Sequence, residues 1–182
     1  KSDYPVSILN MYNNNNLILT WNNKNILNYK KCSSEAKEYL AIGPLWTNFF
    51  SNKDDINLFK IENKLASNKK FISFFPTSLS VNSINNDKIH YNFLLLIEKL
   101  LNDDFFDEYH LLYKTKNSIS TYIDEMSSIS RTLYQKLQKN ERFFHIENNY
   151  SSIFLCRISN LVINMAFSST FHEALEITKK TL

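Results

Sequence analysis

Cysteine is nearly absent from this chain: only Cys32 and Cys156 occur in 182 residues, far apart. Neither belongs to a Cys-x-x-Cys pair, and no histidine stands at metal-ligand spacing. Neither a disulfide framework nor a zinc site is suggested, and a reducing cytoplasm is the expected compartment. Long apolar runs are missing as well. No stretch approaches the length of a membrane span, and the amino end lacks a signal-peptide pattern. Charge of one sign is scarce too: 21 Lys and Arg against 18 Asp and Glu leave a net charge of +3. The two signs are intermixed instead of gathered into a stripe, which speaks against a nucleic-acid-binding surface. There is no internal repeat.

What is present is ordinary for a globular domain, with 43% hydrophobic and 21% charged residues. That composition argues against disorder, and the length suits one domain with a full core. Short apolar runs at Leu17 to Trp21 and at Tyr39 to Trp46 read as strands, the second ending near the single glycine, Gly43. Residues 1–50 form a lead-in segment with these one or two strands, read as the tail of an upstream domain. Residues 51–70 are polar and read as an exposed connection. Residues 71–182 read as the main domain.

In that domain Phe71 to Phe75 is apolar without alternation, as expected of a central parallel strand, and Pro76 stops it. From Asp87 to Leu101 the positions Ile89, Phe93, Leu94, Leu96, Ile97, Leu100 and Leu101 repeat with helical spacing. "EYHLLYK" gives the next strand, Ser120 to Lys139 one helix, "RFFHI" a strand, Ser151 to Ile158 a short helix, "LVINMAF" a strand and Thr170 onward a last helix. Alternating strands and helices predict an α/β fold: a Rossmann-like parallel sheet with helices on both faces. Phe74, Leu96, Leu111 and Ile163 are expected in its core. The chain stops directly after a helix and does not start with Met, so a piece of a longer protein, incomplete at its carboxyl end, is expected.

Ligands of such sheets bind beyond the carboxyl ends of the strands. Those ends carry Pro76, Thr77 and Ser78; Lys114, Thr115 and Lys116; Glu147; and Ser168, Ser169 and Thr170. Hydroxyls, two cations and a carboxylate on one rim make a chemically sensible lining for a nucleotide-activated sugar. Serines at a helix start can hold a phosphate through hydroxyls and backbone N–H groups. The same segment also reads as a plain cap, because Thr170 and Glu173 stand in T-x-x-E capping-box spacing. If the strand "EYHLLYK" persists, Lys114 and Lys116 share one face and Thr115 the other. His90, His110 and His145 lack a partner carboxylate or serine at catalytic spacing and read as structural, whereas His172 lies beside the phosphate candidates. Cys156, among apolar neighbours, reads as a buried thiol. The acids Asp54–Asp55 and Asp103–Asp104 are adjacent, not spaced as D-x-D, and no metal or other cofactor is expected.

Three segments in order, "FISFFPTSLS", "YHLLYKTK" and "LVINMAFSSTFHEAL", resemble the carboxy-terminal donor-binding domain of bacterial surface-polysaccharide glycosyltransferases of the two-domain GT-B fold. The branches similar to CDP-glycerol transferases, capsule transferases and bacterial sialyltransferases come nearest, and the resemblance runs from about Tyr39 to the end. It implies one half of a GT-B architecture and a metal-independent transferase whose donor is a nucleotide-activated substrate, with cytidine as the nucleoside. By the same resemblance Ser168 and Ser169 hold the donor phosphate with Thr170 and the lysines Lys114 and Lys116. Glu147 and Glu173 would meet the nucleoside or sugar, with Thr77, Ser78 and His172 nearby. "KTK" lacks the Pro or His that usually follows the family lysine. An acceptor glycan or lipid-linked glycan would be brought by another domain, which also keeps the general base, so this chain alone is expected to be inactive. The setting implied is cytoplasmic, peripheral to the inner membrane. The alternative is a non-catalytic Rossmann-like or flavodoxin-like module that acts as a scaffold or binds a partner.

Overall fold

The computed structural model describes residues 16–20, 23, 26, 27, 30, 36–42, 53–66, 68–77, 86–147, 149–165, 169–177 and 181–182. The chain divides into two compact units, residues 1–48 and 49–182.

In the first unit β1 (Leu17–Thr20) pairs in parallel with β2 (Glu38–Ala41), Leu19 opposite Leu40. Period-2 alternation is plain in β1, where Ile18 and Thr20 are buried while Leu17 and Leu19 are exposed.

The second unit runs α1 (Lys53–Glu62), β3 (Lys70–Phe75), α2 (Asn86–Leu101), β4 (Tyr109–Tyr113), α3 (Ile119–Asp124), α4 (Ser128–Leu137), β5 (Phe143–His145), α5 (Ser152–Ile158), β6 (Leu161–Asn164) and α6 (Ser169–Ile177). Its four strands form one parallel sheet in the order β5-β4-β3-β6. This is the Rossmann-like α/β arrangement expected. At the free side of β6, Thr181 bridges Val162 in parallel, and Leu182 exchanges backbone bonds of 3.0 Å with Val162 and Asn164.

Strand alternation divides the core between the two sheet faces. Ile72, Phe74, Leu111, Tyr113, Phe143 and Ile163 meet Phe93, Leu94, Ile97 and Leu101 of α2 and Leu133, Tyr134 and Leu137 of α4. Phe71, Phe75, Leu112 and Val162 face the other way, onto Phe59 of α1, Leu155 and Cys156 of α5 and Ala174 of α6. With both faces covered, β3 has no reason to alternate in polarity, which accounts for "FISFF". The one polar residue inside that apolar run, Ser73, is buried and shares a 2.6 Å hydrogen bond with Ser159. The β3–β6 register is held at one end by Asn160, whose backbone N–H donates to the Phe71 carbonyl (2.8 Å) while its side-chain oxygen accepts from the Phe71 N–H (3.1 Å).

Three details differ from the sequence expectation. Residues 51–70 are not merely an exposed connection: α1 lies there, and Phe59 and Leu65 are buried in the second core. The single helix expected from Ser120 to Lys139 is two, because Ser127 leaves the helical conformation and caps α4 by accepting from the Ser130 N–H, as Ser118 caps α3. Arg131 donates to the carbonyls of Asp124 and Met126, filling acceptors that the break leaves open. Leu96 is 38% exposed, since the face of α2 turned inward is Phe93, Leu94, Ile97 and Leu101, and a residue two beyond Leu94 points away.

Candidate functional site at the carboxyl edge

After β3 the chain crosses to α2 on one face, and after β6 it enters α6 on the opposite face, although β3 and β6 are neighbours. Their carboxyl ends thus mark the topological switch point, the place at which open α/β sheets take ligands. Thr77 lies at this seam. Its hydroxyl donates to the Met165 sulfur at 3.7 Å, and the Met165 N–H donates to the Phe75 carbonyl at 3.0 Å. Both amide atoms of the neighbouring Asn164 are buried without a hydrogen-bond partner among the described residues.

Ser78 and Ser168 lie outside the described residues, as do the side chains of Ser169 and His172. Ser169 is the first residue of α6, so Thr170 stands inside the first turn, not at the cap. A capping box needs its acidic member at the third helical position, which is Phe171, so Glu173, at the fifth, does not fill it. Glu173 is instead buried, 8% exposed, and its carboxylate accepts from the Ser152 hydroxyl at 2.7 Å. It ties α6 to α5, away from the place expected for a donor-binding carboxylate at the helix opening.

At the ends of β4 and β5 two expected residues do meet. Lys114 Nζ donates to the backbone carbonyl of Glu147 at 3.4 Å. Burial lowers the lysine pKa, opposed by the Glu147 charge. Lys116 is exposed, whereas Thr115 between them turns inward and is 2% exposed, the alternation read from the sequence.

Thr115 leads into a polar chain that sequence reasoning left as structural histidines. Its hydroxyl donates to the Asn117 carbonyl (2.8 Å) and contacts His145 Nε2 (3.2 Å). His145 Nδ1 bonds the Tyr134 hydroxyl, which also accepts from Gln138 (3.2 Å). Beside it Tyr113 joins His90 (3.0 Å) and Tyr122 (2.9 Å) within the core. The pKa values of His90 and His145 are pushed down to about 4, by burial first; the charge of Lys114 adds to the effect at His145, and Asp87 opposes it at His90. Tyr113 and Tyr134 sit on the strand and helix faces that the hydrophobic period turns inward. That was the one sequence signal that polar atoms would need partners there.

Among the described residues no group of three or more His, Cys, Asp or Glu is arranged to hold a metal ion, and no helix is long and apolar enough to cross a membrane. No protein-family model matches the chain, and no curated protein matches it significantly.

Proposed function

We propose that the chain is the donor-nucleotide-binding part of a glycosyltransferase, or of a polyol-phosphate transferase, for cell-surface polysaccharide synthesis. The observation that carries this reading is the strand order β5-β4-β3-β6, which puts the carboxyl ends of β3 and β6 side by side at a switch point. The resemblance of the three sequence segments supplies the substrate class and the preference for cytidine.

In this reading Ser168, Ser169, the N–H groups of the first turn of α6 and Thr77 take the donor phosphate, with Lys114 and Lys116 as cations on the same rim. Glu147 meets the nucleoside. Catalysis is electrostatic: negative charge grows on the leaving nucleotide phosphate as its bond to the transferred group breaks, and fixed donors stabilise that charge more than they stabilise the ground state. The acceptor and the general base come from another domain, on a protein working at the cytoplasmic side of the inner membrane.

A second reading, a non-catalytic scaffold or partner-binding module, draws support from Glu173, which accepts from Ser152, and from His145, both of whose ring nitrogens have partners inside the protein. Calorimetric titration with CDP, UDP and ADP separates the two. The transferase reading expects CDP to bind and ADP to bind more weakly. Equal heats from all three remove the cytidine preference, and binding of none favours the scaffold.

A further inference from the structure

The polar chain at the ends of β4 and β5 has a direction that its atoms determine. The Thr115 hydroxyl gives its single hydrogen to the Asn117 carbonyl at 2.8 Å, so at its other contact, His145 Nε2 at 3.2 Å, its oxygen accepts. The one hydrogen of a neutral imidazole then sits on Nε2, Nδ1 is an acceptor, and the Tyr134 hydroxyl donates to it. The Tyr134 oxygen in turn accepts from the Gln138 amide at 3.2 Å. Four bonds run one way, from α4 through β5 to the turn after β4, and each donor is used once.

We propose that His145 is a positioning residue, holding Thr115 through Nε2 and so fixing the turn that carries Lys114 and Lys116 to the carboxyl edge in one shape for an anionic group of a ligand. That ligand use rests on the nucleotide reading above; the positioning rests on the turn alone. Without the bond from His145, Thr115 would be a buried hydroxyl missing its donor, and the lysines on either side would lose their common anchor. The ring is suited to a fixed tautomer because it is neutral at pH 7 and stacked edge-on against Tyr113 and Tyr134, with centroids 5.5 and 5.8 Å away. The groups around it are Tyr113 at the end of β4 and Lys114 just after it, Tyr134 of α4 and Gln138 at that helix's C-cap, and Glu147 beyond β5; burial raises the pKa of both phenols, so they remain donors.

A long-range proton–nitrogen correlation spectrum of the ¹⁵N-labelled protein reads the tautomer directly. Among the four histidines, His145 should show its hydrogen on Nε2, and Tyr134→Phe should release a fraction into the other form. A wild-type ring protonated on Nδ1 overturns the proposal. His145→Ala should shift the backbone amides of Thr115 to Ser118, while His145→Gln, whose amide nitrogen reaches the same place as Nε2, should restore them; unmoved amides in the Ala variant also overturn it. Pyrophosphate titration gives the ligand readout: a loss of at least fivefold in affinity for Ala and recovery to within twofold for Gln. Should the wild type fail to bind pyrophosphate, the nucleotide reading falls, and the tautomer and amide shifts still decide the positioning role.

Discussion

Thr77 and Met165 meet across the seam between β3 and β6, the threonine hydroxyl 3.7 Å from the methionine sulfur. A thioether is a weak acceptor. A phosphate oxygen would replace it as partner with a gain, which makes Thr77 the described residue at the switch point most easily recruited by a ligand. Thr77→Val is expected to change stability by no more than about 0.5 kcal/mol and to weaken CDP binding severalfold. A denaturant melt beside a calorimetric titration checks both, and unchanged affinity would place the ligand away from this seam.

The serines before α6 can be separated into cap and ligand. Ser168 precedes the first residue of the helix, and Asp is as good a cap as Ser. Ser168→Asp should therefore keep the stability of the parent while its carboxylate repels a phosphate, cutting CDP affinity at least tenfold. If Ser168 caps the helix, Ser168→Ala should lose about 1 kcal/mol of stability. Thr170→Ala should cost little, because Thr170 lies within the first turn, where Ala is the better helix former. An aspartate variant that binds CDP like the parent would reduce "SST" to a helix start.

Glu173 and Ser152 are expected to matter for stability instead of binding. With Glu173 buried, removing the Ser152 hydroxyl at 2.7 Å leaves a carboxylate short of a donor. Ser152→Ala should cost about 1–3 kcal/mol, and a double-mutant cycle with Glu173→Ala should show coupling between the two sites. CDP affinity should stay within twofold for Glu173→Gln. A large loss of affinity there would return Glu173 to the donor site.

These contrasts mark what a sequence can carry. Strand β3 was legible because burial on both faces writes itself as an unbroken apolar run with a proline stop, and the parallel order followed from alternation with helices. The rim positions Thr77, Lys114 and Glu147 followed in turn from where strands end. The break between α3 and α4 was not legible, since a serine in a helical pattern reads equally as a surface residue; the Ser127 cap, Met126 entering the core and Arg131 filling the freed carbonyls together favour the break. Phe59 was hidden in a polar context for the same reason: its partners, Phe71, Tyr150 and Phe154, are remote in sequence. The direction of the His145 chain needs partners from three elements, and no spacing rule brings them together.

Asn160 supplies a test of the sheet itself. Its two bonds to Phe71 hold the start of the β3–β6 pairing, and Asn160→Ala removes the acceptor for the Phe71 N–H while leaving the backbone bond. A loss of about 1–2 kcal/mol is expected. Ile163→Asp, by contrast, places a lone carboxylate at a buried position of β6 and should abolish folding. Hydrogen exchange should show the Phe71 amide losing protection in the alanine variant ahead of the rest of β3.

The buried histidines predict an acid limit. His90 and His145 both titrate at about 4 in the folded chain, held down chiefly by burial, against about 6.5 when unfolded. Between those values the unfolded chain binds more protons, so the stability contributed by the neutral rings is fully present above about pH 6.5 and is lost as pH falls towards 4. Each ring should add on the order of 1 kcal/mol per pH unit to the slope inside that window. His145→Gln should remove its share and leave that of His90, which shares a hydrogen bond with the Tyr113 hydroxyl. Urea melts of parent and variant at pH 7, 6 and 5 measure the difference: the variant must lose less stability on acidification. Parallel slopes for the two proteins would mean that His145 titrates in the folded state as it does in the unfolded chain, and its place in a fixed chain of hydrogen bonds would then have to be given up.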